Sequence, residues 1–165
     1  MSDSSTQWRA ILDARARELA RPPVAVATGT TEMLVFRLAG ERCAMPAHLL
    51  HDVARAGSIT PLPGATEPMT AVAAWRGALL PVVNLRFLLG MPRATAGEEG
   101  RLLVIGRESA RCGLLVDDVE DIHPFHLASI RLPADGVAPN RDYVDGVGEG
   151  AVMMISAERL LGLEL

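Results

Sequence analysis

The sequence predicts an all-β domain of the sandwich or barrel type. About ten short apolar segments follow one another along the chain, separated by turns rich in glycine, proline and charged residues. Helical patterns are few, so the regular alternation of helix and strand that is typical of a parallel α/β sheet is missing. Hydrophobic residues make up 49% of the 165 residues and aromatic residues only 4%. This composition indicates an aliphatic core in one domain or two small fused lobes.

The first predicted element is a helix over residues 5–21, which Pro22-Pro23 ends. Its apolar stripe consists of Trp8, Ile11, Leu12 and Leu19. Its basic face consists of Arg9, Arg15, Arg17 and Arg21. A helix of this length needs something to pack against, so we expect it to dock, either on its own domain or on a partner. Residues 1–32 therefore form an N-terminal extension with a linker, and residues 33–165 form the β domain.

The remaining elements of the first half are short strands and turns. Strands are predicted at 33–38, 42–45, 59–62 and on both sides of Arg76-Gly77. A helical turn running into a strand is predicted at 47–56, and a further helical turn at 85–89. In the second half, strands are predicted at 102–105, 113–116, 119–123, 144–147 and 152–155, with a helical turn at 127–130 and a terminal helix at 157–161 capped by Ser156. Residues 91–100 and 133–142 are polar and are expected to form surface loops.

The central hairpin carries an arginine at its tip. Apolar residues 72–75 precede Arg76-Gly77 and apolar residues 79–83 follow it, and strands joined by so short a link pair antiparallel. A guanidinium has five donors and no acceptor, so it suits carboxylates or backbone carbonyls. The hairpin pattern alone favours the simpler interpretation, a turn arginine that only contacts solvent.

Charge and cysteine usage exclude several classes of protein. A formal net charge of −4 and the scarcity of aromatic residues argue against nucleic-acid binding, which needs a basic surface or stacking platforms. Cys43 and Cys112 are isolated in apolar contexts, the first residues are polar, and the longest apolar run is too short for a bilayer. We therefore expect a cytoplasmic protein with reduced thiols and no direct membrane insertion.

No catalytic constellation is recognisable. Four histidines form two pairs at i, i+3 spacing, namely His48 with His51 and His123 with His126. A zinc site needs further ligands, and Pro124 interrupts any helix through the second pair. The acidic cluster at 117–121 is expected to be solvated in a turn. Because nucleophile-elbow, Walker and dinucleotide motifs are missing, a binding module without cofactor is favoured, and a histidine-dependent metalloprotein is the remote alternative.

Taken in order, several segments resemble the CheW-like family of chemotaxis coupling proteins over residues 33–162. The segments are LVFRLAGERCAMP, ITPLPGA, AVAAWRGALLPVVNLRFLLG, RLLVIG, CGLLVDDVEDI and YVDGVGEGAVMMISAERLL. The resemblance implies two intertwined five-stranded β-barrels, each similar to an SH3 barrel, with an apolar core between them. It also implies a non-enzymatic signal-transduction adaptor that couples chemoreceptors to a CheA-type histidine kinase.

The implied partners are the regulatory domain of that kinase and the cytoplasmic tip of the receptor. The kinase domain is a homologue and pairs barrel to barrel, whereas the receptor tip is a helical hairpin in the groove between the barrels. The implied location is the cytoplasm, at membrane-associated receptor arrays. Arg76 matches the arginine of the family's NLRG motif, which is important for coupling. Leu50 and Asp52 fall where the family presents receptor-facing residues, and Leu102 and Leu103 fall on a strand edge that lines the same groove.

Pro81 and Arg86 also match the family, but four positions depart from its pattern. Ala74 and Trp75 replace the Asn-Leu of NLRG, Asn84 replaces an aspartate, and Cys43 replaces an aromatic residue. Ala74 cannot make the backbone hydrogen bond of a turn asparagine. Trp75 is an interface anchor if it is exposed and core filler if it is buried. These departures favour the alternative of a CheW-like adaptor in a non-flagellar array, for example one controlling surface or twitching motility or development.

Overall fold

The residues described in this computed structural model are 29–56, 59–94, 100–132 and 141–163. Their regular structure consists of eleven strands, two short α-helices and four 3-10 helices, the latter at Ala47–Leu49, Leu127–Ser129, Arg141–Tyr143 and Glu149–Ala151. The strands are β1 Thr30–Leu38, β2 Glu41–Pro46, β3 Leu50–Arg55, β4 Ile59–Pro61, β5 Met69–Trp75, β6 Ala78–Val83, β7 Arg101–Ile105, β8 Cys112–Val116, β9 Asp118–His126, β10 Val144–Gly148 and β11 Val152–Ile155. The helices are α1 Leu85–Leu88 and α2 Ala157–Leu161. The helix predicted over 5–21 lies outside the described residues.

The strands form two sheets that curl into barrels. The first sheet has the order β10-β11-β2-β1-β9, and the second has the order β3-β7-β8-β6-β5-β4. Each contains one parallel pair, β11 with β2 and β6 with β8. In the first sheet Arg131, just beyond β9, pairs with Val147 of β10, which brings the two edges of the sheet together. The predicted pair of small β-barrels is confirmed, with the short strand β4 as a sixth member of the second sheet.

Three apolar clusters fill the molecule. The largest lies between the barrels and takes residues from both sheets and both helices, such as Phe36 of β1 and Leu103 of β7. A smaller cluster, which includes Val35, fills the first barrel. Another, which includes Leu102, fills the second barrel. Strands β1 and β7 are therefore buried on both faces, which is why their sequences read as continuous apolar runs rather than alternating patterns.

Aspartate 117 links the two barrels. Its Oδ1 accepts a hydrogen bond from Nη2 of Arg86 at 2.7 Å. Arg86 is the second residue of helix α1, which follows β6 of the second sheet. Its Oδ2 accepts from the backbone N–H of Ala39 at 2.8 Å, in the turn between β1 and β2 of the first sheet. The Arg86 side chain also donates to the carbonyl oxygen of Pro92. The prediction that the acidic cluster is merely solvated is therefore wrong for Asp117, which has an ion-pair partner.

Glutamate 120 of the same cluster bridges two arginines of the first sheet. Its two carboxylate oxygens accept from Nε of Arg37 at 2.7 Å and from Nη2 of Arg42 at 2.9 Å. Burial acts to raise the pKa of Glu120, but the hydrogen bonds and charges of Arg42 and Arg37 outweigh it and hold the pKa below its ordinary value of 4.5. The carboxylate therefore stabilises the folded state above pH 4.5, and this stabilisation is lost as the pH falls through the lower folded pKa.

We expect Glu120→Gln to lower the free energy of unfolding at pH 7 by about 0.5–1 kcal/mol, because the pairs it removes are partly exposed. Urea unfolding at pH 7 and in acid measures the effect. The difference between variant and wild type should shrink as the pH falls below 4.5. Glu108→Gln, which changes an exposed carboxylate, is the matched control. A difference that does not depend on pH would contradict the ion-pair explanation.

Two local predictions need correction. Strand β9 runs to His126 instead of ending at His123, because Pro124 sits on an edge strand where a missing N–H is tolerated. Ser156 precedes α2 as predicted, but its side chain makes no capping hydrogen bond; its backbone N–H donates to the carbonyl oxygen of Tyr143 instead.

The cysteines are free and buried, and burial raises the pKa of Cys43 to about 12 and that of Cys112 to about 11. Both thiols are therefore protonated at neutral pH.

Candidate functional site

Strands β5 and β6 meet in a tight two-residue turn formed by Arg76 and Gly77. Ala74 pairs with Leu79, and Trp75 pairs with Ala78. Both turn residues have positive φ, 46° for Arg76 and 77° for Gly77, as in a type I′ hairpin. Glycine adopts this conformation freely, but for an arginine it costs about 1 kcal/mol. The predicted antiparallel hairpin is confirmed, and the strained residue at its tip is the arginine that the sequence singled out.

The Arg76 side chain lies over its neighbour Trp75. Its guanidinium carbon is 4.7 Å from the centroid of the indole ring, which is the geometry of a cation–π contact. The side chain is exposed, and no carboxylate of the described residues forms an ion pair with it. The indole face thus orients the guanidinium while leaving its donors available to carboxylates or carbonyls of another molecule.

Trp75 is in turn fixed by a buried carboxylate. Its Nε1–H donates to Oδ2 of Asp52 at 2.9 Å, and Oδ1 of Asp52 accepts from the backbone N–H of Val53 at 2.8 Å. Asp52 is only 1% exposed. Strands β3 and β5 are not neighbours in the second sheet, so this hydrogen bond crosses the curled barrel. The chain of contacts from Asp52 through Trp75 to Arg76 connects the barrel interior to the hairpin tip.

A groove of about 850 Å³ opens beside the hairpin. Its apolar lining includes Leu79 and Leu80 of β6 and Leu161 of α2, and its polar lining includes the exposed Arg107 and Arg111 of the loop after β7. Leu79 is 72% exposed. Arg107 forms an ion pair with Glu158 of α2. The groove therefore combines apolar side chains with a rim of mixed charge, formed by Arg107, Glu108 and Arg111, at the place where the second barrel meets the C-terminal helix.

Comparison with known proteins decides the family. The family model described as the CheW-like domain matches residues 32–164. The chain belongs to the CheW-like family. Its relatives include the chemotaxis protein CheW of Bacillus subtilis, 26% identical over 67% of this chain and 71% of the relative. Members of this family are scaffold and adaptor proteins of chemotaxis-type signal transduction.

Two further relatives carry other names. Protein FrzA of Myxococcus xanthus is 29% identical over 79% of this chain and 84% of FrzA. Protein PilI of Pseudomonas aeruginosa is 30% identical over 76% of this chain and 72% of PilI. Among solved structures, the crystal structure of the scaffolding protein TtCheW from Thermoanaerobacter tengcongensis matches with a TM-score of 0.66 and 24% identity, covering 76% of this chain and 88% of that one. The structural match confirms the CheW-like fold.

The positions inferred from the CheW-like resemblance do not all lie on the surface. Leu102 and Leu103 belong to β7, which is paired on both sides, with β3 and with β8. The prediction that they lie on a strand edge is wrong, and both side chains are fully buried, one inside the second barrel and one between the barrels. Asp52 is likewise buried rather than receptor-facing. Leu50 is partly exposed and packs against the core between the barrels.

Trp75 fits neither of the two interpretations considered for it. It is half-buried, packs partly against the core of the second barrel and binds Asp52.

Leu79, which lies beside Arg76 on the exposed side of the hairpin, was not singled out from the sequence. Leu79 pairs with Ala74 in the hairpin register, and both side chains are exposed. Ala74 stands where the family usually has asparagine, so the sequence already contained a signal that this surface is more apolar than usual.

We expect Trp75→Phe to lower the free energy of unfolding by about 1–3 kcal/mol, because it leaves the buried carboxylate of Asp52 without one of its donors. Urea unfolding of Trp75→Phe, Asp52→Ala and the double variant forms a double-mutant cycle. The two effects should be non-additive by about 1 kcal/mol, since both changes remove the same hydrogen bond. Strictly additive effects would show that the two side chains do not depend on each other.

The four histidines do not form a metal site in the described residues. His48 and His51 lie at the start of the second sheet, whereas His123 and His126 lie on β9 at the edge of the first sheet. No group of three histidine, cysteine, aspartate or glutamate side chains in the described ranges is arranged to hold an ion. The same ranges contain no helix with the length and apolar character needed to cross a bilayer.

Proposed function

We propose that this protein couples chemoreceptors to a CheA-type histidine kinase as a non-catalytic adaptor in the cytoplasm. The observation that carries the proposal is Arg76, an exposed arginine on a strained turn, oriented by Trp75 and available to an external acceptor. The membership of the chain in the CheW-like family supplies the class of partner. The proposed coupling surface consists of Arg76, Trp75 and Leu79 together with the groove beside them.

The groove suits a helical receptor tip. Helix-in-groove recognition places apolar side chains of the helix against an apolar floor, which Leu79 and Leu161 provide here. Acidic side chains or carbonyl groups of the helix would then face Arg76 and Arg111. An apolar centre surrounded by a charged rim is the common arrangement of protein interfaces. The buried Asp52, Leu102 and Leu103 act in this proposal through the shape of the barrel, and Leu50 through its partly exposed face.

The kinase partner is proposed from the family alone. The regulatory domain of a CheA-type kinase is a homologue of CheW-like adaptors, so a barrel of this chain would pair with a barrel of that domain. Binding the kinase and the receptor at separate surfaces is what allows an adaptor to hold both at once. This arrangement places the protein at membrane-associated receptor arrays without inserting it into the bilayer.

Co-precipitation with the cognate kinase and a soluble receptor fragment tests the proposal. The protein should retain each partner separately and should increase the amount of kinase recovered with the receptor fragment. Leu79→Asp, which places a charge on the floor of the groove, should weaken the receptor interaction and leave the kinase interaction unchanged. Leu62→Asp, which changes another exposed leucine of the second barrel region, is the matched control. Retention of neither partner by the wild-type protein would refute the proposal.

A second candidate is an adaptor for a non-flagellar array, such as one controlling surface motility or development. Ala74 and Trp75 favour it, because they change the surface next to the coupling arginine. Sequence identity does not separate the candidates, since proteins named CheW are 23–31% identical to this chain and FrzA and PilI are 29% and 30% identical. Deleting the gene and measuring both swimming chemotaxis and surface motility would distinguish the two candidates. A defect in swimming alone would contradict the second candidate.

A further inference from the structure

An exposed apolar patch lies on the first barrel, in the turn that follows β9. It consists of Leu127, Ile130 and Leu132, which we call the β9-turn patch. Leu127 is 52% exposed and Leu132 is 86% exposed, and Ile130 packs partly against the core of the first barrel. Strongly exposed leucine side chains in one short turn mark a surface that another segment can cover.

The backbone of this patch is firmly held. The N–H of Ile130 donates to the carbonyl oxygen of Leu127 at 3.2 Å. Arg131 exchanges two hydrogen bonds with Val147 of β10, at 2.9 and 2.7 Å. The hydroxyl of Ser129 donates to the carbonyl oxygen of His126 at 2.7 Å. The patch therefore presents its apolar side chains from a fixed framework, as a docking surface requires.

The N-terminal segment enters the described structure beside the patch. The N–H of Leu127 donates to the carbonyl oxygen of Gly29, the first described residue, at 2.6 Å. Thr30 pairs with His126 in the β1–β9 register. The preceding chain therefore joins the described structure next to Leu127, whereas the apolar groove lined by Leu79 and Leu161 is formed by other elements.

The preceding sequence offers a matching apolar stripe. Residues 5–21 are predicted to form an amphipathic helix whose stripe contains Trp8, Ile11, Leu12 and Leu19. Such a helix is about 25 Å long. The linker between it and Gly29, residues 22–28, spans at most about 25 Å when extended. The stripe can therefore reach the β9-turn patch, and the tether gives it an effective concentration of about a millimolar.

We propose that residues 5–21 dock on the β9-turn patch of the same molecule, with Trp8, Leu12 and Leu19 covering Leu127 and Leu132. Arg9, Arg17 and Arg21 fall outside the apolar stripe, so docking leaves these basic residues displayed on a protein with a formal net charge of −4. A single amphipathic helix without a packing partner is marginal in water, and the patch supplies that partner. The segment is then part of the adaptor itself rather than a free tail.

Limited trypsin digestion of the full chain tests the proposal, because trypsin cleaves after Arg9, Arg15 and Arg17 of the segment; Arg21 precedes Pro22 and is not cut. Mass spectrometry follows cleavage within residues 9–21 for the wild type and for a Leu127→Glu/Leu132→Glu variant. The variant should be cut about tenfold faster, since release of the helix exposes its backbone. Leu12→Glu, which changes the helix and leaves the β domain untouched, should have the same effect. Leu79→Glu, at another strongly exposed leucine, should have none.

Three results would overturn the proposal. Wild-type cleavage as fast as that of a synthetic peptide of residues 1–28 would show that the segment does not dock. Faster cleavage in Leu79→Glu but not in the patch variant would place the segment on the groove beside the hairpin. Protection that disappears on dilution would show docking on a second copy. Circular dichroism checks that each variant retains the β fold. The comparison of the wild-type chain with the peptide tests docking even if a variant fails to fold, because it uses no variant.

Discussion

Val82→Asp is expected to leave the protein unfolded at 25 °C. Val82 is 4% exposed and lies inside the second barrel with Ala73, Leu80, Leu102 and Val104. A carboxylate at this position would have only apolar neighbours, and burial of an unpaired charge costs many kcal/mol. Because domains of this size are stable by only about 5–15 kcal/mol, such a loss removes most or all of their stability. Circular dichroism and thermal unfolding measure the outcome, which should be the loss of the cooperative transition.

Leu79→Asp provides the matched control for this prediction. It introduces the same carboxylate into the same strand, at a side chain that is 72% exposed. Its free energy of unfolding should stay within about 0.5 kcal/mol of wild type, because the charge remains in water. If Val82→Asp instead melted like the control, the face of β6 that carries Val82 would not be the inner face of the barrel.

Arg76→Ala is expected to weaken coupling strongly while the fold stays close to wild type. The side chain is exposed, so its truncation costs the protein little more than the cation–π contact with Trp75, about 0.5–1 kcal/mol. In a protein interface, an arginine of this kind is commonly a hot spot whose loss costs about 2 kcal/mol or more, which is roughly a thirtyfold loss of affinity. Binding of the receptor fragment and receptor-dependent activity of the kinase measure the effect.

Arg76→Gly separates the coupling role of this residue from its place in the turn. Glycine adopts the positive φ of this position without strain, so the variant should be as stable as wild type or more stable by up to about 1 kcal/mol. It should nevertheless lose coupling as completely as alanine does. Arg93→Ala removes an exposed arginine that lines a different cavity from the hairpin tip and should retain coupling. A large drop in melting temperature for both Arg76 variants would mean that the arginine is structural.

The parts of the fold that local chemistry determines were predictable from sequence. The hairpin around Arg76-Gly77 follows from two apolar runs separated by a two-residue link, and the structure has that turn. The continuous apolar run in β7 is also visible in the sequence, whereas the family resemblance implied a strand edge for Leu102 and Leu103. A run such as RLLVI instead indicates a strand covered on both sides, and Leu102 and Leu103 are buried in two different cores.

The contacts that build the candidate site were not predictable, because they depend on which distant segments meet. Asp52 and Trp75 are 23 residues apart and belong to strands that are not adjacent in the sheet. Asp117 meets Arg86 and Ala39 only because the two barrels are packed together. Periodicity places each residue on a face of its own element, but it contains no information about the partner across the barrel.

The interleaving of the two sheets determines the order in which they can form during synthesis. All strands of the second sheet, β3 to β8, lie between residues 50 and 116, so a ribosome releases that barrel as a complete unit. The first sheet must wait, because Cys43 of β2 pairs with Met153 of β11. Until then the β1–β2 hairpin is exposed with unsatisfied edges, the state in which strands associate with other chains. The pairing of β2 with β11 closes the long stretch of chain between them, and contact order predicts that this closure is the slow step of refolding.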